Sequence, residues 1–262
     1  MRIGAVSGNQ YQIYNQNKSR MHYGKIASGK RINSAADDAA GLVQVGKLVS
    51  QNRALTQGAY NARAGQSLTR VADSALNGIH DYLSNIKALS VKALNGTNTA
   101  ADRKAIQNEI DGYLKGIDQL AGSTTFNTKH ILNGEESLDM ALNPDASGPK
   151  VGTVDSTLKS LGLDGYDVTS GKFDMDRIDK AIDQVSKLRS QMGASDNALE
   201  YGYNYNMNAA ENLTGAQSRI EDLDMPAAIS EQRKNEVLQD YRNMMMRSQM
   251  NDASLVTRMF QN

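Results

Sequence analysis

Residues 43–94 read VQVGKLVSQNRALTQGAYNARAGQSLTRVADSALNGIHDYLSNIKALSVKAL. Apolar and small residues recur here every three or four positions, which places them along one side of a helix. The stripe has two runs, separated by a shift of phase: Val45, Leu48, Asn52, Leu55, Ala59, Ala62 and Gln66, then Leu68, Ala72, Ala75, Ile79, Leu83, Ile86, Ser90 and Ala93. Spacing close to 3.5 residues predicts a long helix, from about residue 37 to residue 94, packed on partner helices as in a coiled coil.

The limits of this helix, and its polar stripe positions, lead to further expectations. Ser34 and Asp37 have the spacing of a capping pair, and Asp37 and Asp38 complement the positive end of a helix dipole. The pair Asn95-Gly96 can adopt left-handed backbone angles and is expected to end the helix. The stripe's Asn52 and Gln66 either set the register of packing or face solvent where the phase shifts.

Three more helical segments follow the first. The second carries the stripe Ile106, Ile110, Tyr113, Leu114, Ile117 and Leu120. The third runs from about residue 174 to residue 223, with the stripe Ile178, Ile182, Val185, Leu188, Met192, Leu199, Ala210, Leu213 and Ile220. Pro226 interrupts it, and the Met-rich segment 227–262 is predicted to be a helix that buries against other copies of the chain.

Residues 123–170 break the helical pattern. They contain two of the three prolines, several glycines and the short alternating piece Leu138–Leu142. The segment from Asn143 to Gly148 is predicted to form a turn between two strands. The sequence thus predicts a mainly α fold, a long antiparallel helical rod or coiled-coil bundle with a small central β-hairpin region and paired terminal helices.

Composition excludes several functions. The chain has no Cys, so disulfides and thiol chemistry are excluded, and its three His residues show no metal-binding spacing. Its net charge is zero, no run is apolar enough to cross a membrane, and phosphate-loop, zinc-protease and hydrolase motifs are absent. We therefore expect no enzyme activity, cofactor, metal site or membrane insertion.

The amino-terminal segment has an unusual charge pattern. Residues 1–36 hold six Lys and Arg residues and no acid. A transit peptide or a nucleic-acid surface using Tyr11, Tyr14 and Tyr23 is possible, but a tail that orders on contact with a partner accounts for the same residues. We expect no nucleic-acid partner, and the absence of a classical signal implies a dedicated export route for an extracellular protein.

The segment Ser28–Leu42, SGKRINSAADDAAGL, resembles the amino-terminal signature of bacterial flagellins. The similarity continues through residues 61–76 and, in the second half, through LGLDG at 161–165, ENLT at 211–214 and SRI at 218–220. The resemblance implies a short flagellin without outer domains that polymerises with itself into an extracellular filament for motility. It also implies type III export without a cleaved signal peptide, an export chaperone, and hook-associated junction and cap proteins as partners.

The resemblance also assigns domains and assembly residues. Residues 1–33 and 226–262 would form an inner core domain, and residues 34–225, with the hairpin region at 123–170, a rod-like domain. The termini would order only in the filament, because ordering them costs conformational entropy. The expected core assembly residues are Ile3, Ile13, Leu238, Met245, Leu255, Met259 and Phe260. The expected domain-junction residues are Asn33, Asp37, Asp38 and Pro226.

Residues 83–92 resemble the helix that flagellins present to Toll-like receptor 5. The expected polymerisation and receptor-like positions are Asn85, Ile86, Leu89, Lys92 and Glu109. Asn85 stands where the family usually has Arg, so we expect weakened recognition, since an amide cannot replace a guanidinium's bidentate contacts.

Two features leave alternatives open. The first 25 residues lack the family's regular Leu spacing, and the opening Met1-Arg-Ile3 resembles the hook–filament junction protein. The junction protein usually has Pro in its Asp-Asp motif, whereas residues 35–40 read AADDAA. Filament flagellin is therefore favoured, with the junction protein or a minor flagellin as alternatives.

Overall fold

The computed structural model describes residues 17, 19–134 and 137–259, and long helices dominate them. The described part of α1 covers residues 19–28. The longer helices are α2 (Ala39–Ala93), α3 (Ala100–Ser123), α4 (Asp176–Glu221) and α5 (Met225–Met259). The strands are β1 (Thr125–Phe126), β2 (Lys129–His130), β3 (Ser137–Asp139) and β4 (Lys150–Gly152). The mainly helical fold with a small central β region is confirmed.

The chain divides into two compact units. The terminal unit contains the described residues up to Ser50 and those from Asn212 onward, and the central unit is Gln51–Glu211. Among the described residues, no helix combines the length and apolar character needed to cross a bilayer.

In the central unit, α2 and α4 run antiparallel. Thr69 Oγ1 donates to Asp196 Oδ1 at 3.1 Å, and Arg189 Nε donates to Asp73 Oδ1 at 2.9 Å. Further along α2, the Lys87 ammonium pairs with Asp179. Partner numbers fall along α4 as they rise along α2, which is the signature of antiparallel packing. Helix α3 adds Ile106, Ile110 and Ile117 to the same core.

The α2 stripe forms the core seam as predicted. Most of its apolar members are buried, as are Leu76 and Thr69, which the pattern did not single out. Gln66 is only 3% exposed, so the interpretation of it as a solvent-facing residue is wrong. Its side-chain oxygen has no hydrogen-bond partner among the described residues. Asn52 is partly buried and donates to Ala210 O at 3.0 Å, which ties α2 to α4.

The bounds of α2 agree with the prediction to within two residues, but the capping interactions at both ends differ from it. Asp38 caps the helix, because its Oδ1 accepts from Gly41 N at 2.9 Å. Asp37 instead accepts from the Ser34 amide and hydroxyl in a turn that precedes the helix. At the other end, neither Asn95 nor Gly96 has a positive φ, so no left-handed cap forms there.

The β region contains two antiparallel hairpins, one more than predicted. In the predicted one, Leu138 pairs with Val151, and Asp145 Oδ1 accepts from Ser147 N within the turn. The strands are shorter than the alternating segment, since β3 ends at Asp139. The additional hairpin joins β1 and β2 through Asn127 and Thr128, both with positive φ.

Leu142, just beyond β3, fits into a slot between α2 and α4. A Cβ on Gly58 would lie 1.8 Å from Leu142 O, and one on Gly202 would lie 2.4 Å from Leu142 Cδ2. Two side-chain amides hold the segment that follows β3. Asn61 Nδ2 donates to Ala141 O and Asn206 Nδ2 donates to Leu142 O, each at 2.8 Å. Glycine is thus required on both helices for the hairpin to approach this closely.

We predict that Gly58→Ala destabilises the central unit, even though alanine is the better helix former by about 1 kcal/mol. The added methyl would meet the Leu142 carbonyl, and overpacking of this kind costs about 1–3 kcal/mol. The matched control is Gly193→Ala in α4, where a Cβ meets nothing within 4 Å. Urea unfolding should show a lower free energy of unfolding for Gly58→Ala and a slightly higher one for Gly193→Ala. Equal stability of the two variants would contradict the slot.

Candidate functional site

One side of helix α5 is covered by the rest of its own chain, and the residues on that side are unusual. The covered or partly covered positions recur at intervals of three and four along one side: Met225, Ala228, Gln232, Asn235, Gln239 and Asn243. Four of these six side chains are Gln or Asn, and Gln232 is buried. The side of α5 that the chain covers is therefore mainly polar.

Five large apolar residues of α5 lie on a different side, although Met246 and Met250 fall on the covered side. Val237, Leu238, Tyr241, Met244 and Met245 are between 41% and 69% exposed. At 3.6 residues per turn, these five side chains fall within an arc of about 120°. We call this set the α5 apolar face.

A surface helix in a globular protein normally turns its apolar stripe to the core and its polar residues to water. Helix α5 shows the reverse arrangement. Scattered exposed apolar residues are ordinary, whereas a contiguous exposed face marks a surface that binds a partner. The α5 apolar face is therefore the leading candidate for a functional site in the described part of the chain.

Helix α1 lies against the polar side of α5. Tyr23 Oη donates to Glu236 Oε1 at 2.7 Å, and Gln232 Nε2 donates to the same oxygen at 3.0 Å. The hydrogen bond from Tyr23, followed by that from Gln232, lowers the pKa of the Glu236 carboxyl. The terminal segments therefore contact each other within the terminal unit, and their polar network leaves the apolar face uncovered.

A second network joins the segment after α1 to the end of α4. Lys30 Nζ pairs with Glu221 Oε1 at 2.5 Å, and this contact is the main cause of a lowered Glu221 pKa. Arg31 N donates to Glu221 O, and Leu223 N donates to Gly29 O. The sequence did not predict Lys30 and Glu221, because nothing local marks a pair drawn from opposite ends of the chain.

The predicted domain-junction residues lie close to this network. Asp37 pairs with Lys25 at 2.9 Å and accepts from the Asn33 amide. Lys25 is the largest cause of the Asp37 pKa falling to about 2, followed by that amide. Asp38 caps α2. Pro226 lies in the first turn of α5, after Asp224, whose Oδ1 accepts from Ala227 N.

The predicted receptor-like residues lie on α2 and α3. Asn85, Lys92 and Glu109 are exposed, and Leu89 is half-buried. Ile86 is 0% exposed and packs in the core of the central unit. We therefore assign Ile86 to internal packing, since its side chain has no surface to offer a partner.

The predicted core assembly residues divide into two groups. Leu238 and Met245 belong to the α5 apolar face. Ile3, Ile13 and Phe260 lie outside the described residues, as do the side chains of Leu255 and Met259, which are in the helical part of α5.

The described residues offer little that is suited to chemistry. No group of three or more His, Asp or Glu residues among them could hold a metal ion. An open groove of about 500 Å³ lies between α2 and the end of α3, lined by Val71, Ala75 and Leu120 with Arg70, Ser74, Gly78 and Thr124. Its lining has aliphatic and hydroxyl groups and one cation, a composition suited to contact with another surface.

Comparisons with known proteins agree on one family. Residues 5–137 match the family model for the bacterial flagellin N-terminal helical region, and residues 175–259 match that for the C-terminal helical region. Flagellin of Halalkalibacterium halodurans is 32% identical over 245 residues, covering 90% of this chain and 89% of that protein. Flagellin of Bacillus subtilis is 34% identical over 265 residues, covering 86% of each. The crystal structure of Bacillus cereus flagellin matches with a TM-score of 0.51 and 25% identity, over 56% of this chain and 88% of that chain.

We predict that Asp37 stabilises the terminal unit in a pH-dependent way. Its pKa falls from 3.8 to about 2 on folding. The ionised carboxylate therefore contributes its full stabilisation above the unfolded-state pKa, and this stabilisation is lost as the pH falls toward the folded-state pKa. Thermal unfolding of wild type and Asp37→Asn should differ near neutral pH and converge as the solution is acidified to about pH 2. A difference that stays constant over this range would contradict the assignment.

Proposed function

The chain belongs to the bacterial flagellin family and is a structural subunit of the extracellular flagellar filament, not an enzyme, and we propose that the α5 apolar face is a surface that its copies bury against one another. The observation that supports this assignment is the inverted polarity of α5. The helix packs Gln and Asn against its own chain and leaves Val237, Tyr241 and Met244 exposed. No described residue of the chain covers them, and in a homopolymer a second copy is available to do so.

The size of the face indicates how much it can contribute. Full burial of one large apolar side chain contributes about 1.5–3 kcal/mol, so five half-exposed ones supply roughly 5 kcal/mol. Association costs about 4–15 kcal/mol in lost freedom. The α5 apolar face is thus not sufficient to hold a subunit alone, and contacts from the central unit must add to it.

Exposed aromatic residues of the central unit are our candidates for those contacts. Tyr60 on α2 and Tyr201 and Tyr205 on α4 are well exposed. Tyrosine supplies a large apolar area and a polar tip at little entropic cost, which is why it is frequent at interfaces. A helical polymer needs different, complementary surfaces on each subunit, and the groove beside Val71 could accept such a side chain.

We propose the domain division predicted from the sequence, with residues 1–33 and 226–262 in an inner domain and residues 34–225 in a second domain. The contact of α1 with α5 supports the pairing of the two ends. The alternative of a hook–filament junction protein receives no support from the family models, which describe flagellin regions, or from the relatives in Halalkalibacterium halodurans, Bacillus subtilis and Treponema phagedenis, which are flagellins or a flagellar filament core protein.

The proposal extends to export and to other partners. An exposed apolar face needs cover before assembly, so we propose that an export chaperone binds α5 in the cytoplasm and that junction and cap proteins meet the subunit at the filament ends. We also propose that the chain is exported by a type III apparatus and that no peptide bond is cleaved within the region that matches the family, which begins at residue 5. Mass spectrometry of isolated filaments should therefore find residues 5 onward intact.

Replacing Leu238 and Met245 with Glu should abolish filament growth, because two carboxylates cannot be buried in an apolar contact. The purified variant would be compared with wild type by sedimentation and electron microscopy after addition of a precipitating salt. Circular dichroism of the monomers should be unchanged, since both positions are exposed in the single chain.

The control for this variant is Ser254→Glu. It places the same carboxylate on α5 at an exposed position away from the apolar face. Filaments should form from the control and not from the double variant. Equal filament yields from the two proteins would contradict the assembly role of the face.

We further propose that recognition by Toll-like receptor 5 is weakened by Asn85. Asn85, Lys92 and Glu109 are exposed as such a contact requires. The expected result is that Asn85→Arg raises the response of a receptor reporter cell, whereas Asn85→Lys raises it less, because only Arg has the bidentate fork. A wild-type response as strong as that of a typical activating flagellin would contradict the proposal.

A further inference from the structure

The turn between α2 and α3 contains an asparagine followed by glycine outside any helix. Asn95 and Gly96 are both exposed, and neither belongs to α2, which ends at Ala93, or to α3, which begins at Ala100. The Gly96 N–H has no hydrogen-bond acceptor among the described residues. This amide nitrogen is therefore free to react.

The side chain of Asn95 is held by its own turn. Its Oδ1 accepts from Thr97 N at 3.2 Å and from Thr97 Oγ1 at 3.0 Å. Both donors point at the oxygen on which negative charge develops when a nucleophile adds to Cγ. Donors fixed in this way are already in position when the oxyanion forms, as they are in enzyme active sites.

We propose that Asn95 is a site of self-catalysed deamidation. Gly96 N attacks Asn95 Cγ and loses its proton, forming a tetrahedral adduct whose oxyanion Thr97 stabilises. The bond from Cγ to the side-chain nitrogen then breaks, and that nitrogen leaves as ammonia. Water opens the resulting succinimide at either carbonyl, giving aspartate or isoaspartate. The reaction consumes one water and needs no oxidant or cofactor.

The chain contains two other Asn-Gly pairs that serve as internal comparisons. Asn77-Gly78 lies within α2, where the glycine amide is engaged in the helix. Asn133-Gly134 is held by a backbone bridge between Asn133 and Asp155, and Gly134 lies close to the Asp155 side chain. Sequence alone ranks the three pairs equally. In the structure, the backbone hydrogen bonds of Asn95 stay within its own turn, from Asn95 N to Lys92 O and from Asn98 N to Asn95 O.

The two products would affect the turn differently. Aspartate keeps both hydrogen bonds from Thr97 and strengthens them by its charge. Isoaspartate inserts one methylene into the backbone of a turn that also holds Asn98 Nδ2 against Lys92 O at 2.6 Å. The geometry between α2 and α3 therefore depends on which carbonyl the water attacks.

The test uses the full-length monomer incubated in mildly alkaline buffer, with conversion of amide to acid followed by peptide mass spectrometry. Trypsin releases Asn95 in the peptide 93–103, separate from those that hold Asn77 and Asn133. We expect Asn95 to convert at least about tenfold faster than either, because the Gly78 amide must first leave its helix and the bridge between Asn133 and Asp155 must first open. In urea the three rates should converge. Equal rates in the folded protein would overturn the proposal.

Two positions test the mechanism. Gly96→Ala should fold normally, since a Cβ there meets nothing within 4 Å and φ is not positive, and should slow the reaction by crowding the nucleophile. Thr97→Val removes the hydroxyl donor and should slow the deamidation about fivefold, which corresponds to the free energy of one hydrogen bond. Thr97→Ser keeps the hydroxyl and should retain the rate. Equal rates for Thr97→Val and Thr97→Ser would overturn the role of Thr97, and an unchanged rate in Gly96→Ala would overturn the attack by Gly96 N.

Discussion

The exposed apolar side of α5 is the feature on which the rest of this account depends. A helix that packs amides against its own chain and leaves Val237, Tyr241 and Met244 in water gains little from folding alone. On the proposed assembly, this helix gains further stability when identical copies bury its apolar face. Zero net charge suits this arrangement, because no long-range repulsion opposes stacking of the chain on itself.

The central unit follows the opposite rule and supplies its own stability. The α2 stripe is buried, α2 and α4 are held antiparallel by ion pairs, and Leu142 is fixed between Gly58 and Gly202. Such packing tolerates little change in volume, so it keeps a defined surface for neighbours to contact. Polar residues contribute register as well: Asn61 and Asn206 hold the adjacent carbonyls of Ala141 and Leu142, a segment that a purely apolar seam would leave free to slide.

Periodicity predicted the helices well because a stripe at 3.5-residue spacing is a strong and long signal. It failed where contacts are not local. The Lys30–Glu221 pair joins opposite ends of the chain, the second hairpin depends on positive φ at Asn127 and Thr128, and Ile86 belongs to the core although it was predicted to contribute to an external surface. The observed cap of α2 is Asp38 and not the predicted pair Ser34 and Asp37, because side-chain hydrogen-bond partners, and not spacing alone, decide where a helix begins.

The most direct test of the central claim is oxidative footprinting of methionines in monomers and in filaments. Hydrogen peroxide converts exposed methionine to its sulfoxide, and peptide mass spectrometry reports each position. The account predicts that Met244 and Met245, exposed in the single chain, oxidise rapidly in monomers and become protected in filaments, while the buried Met192 is slow in both. Equal oxidation of Met244 and Met245 in the two states would show that the α5 apolar face stays in water after assembly, which would contradict the account.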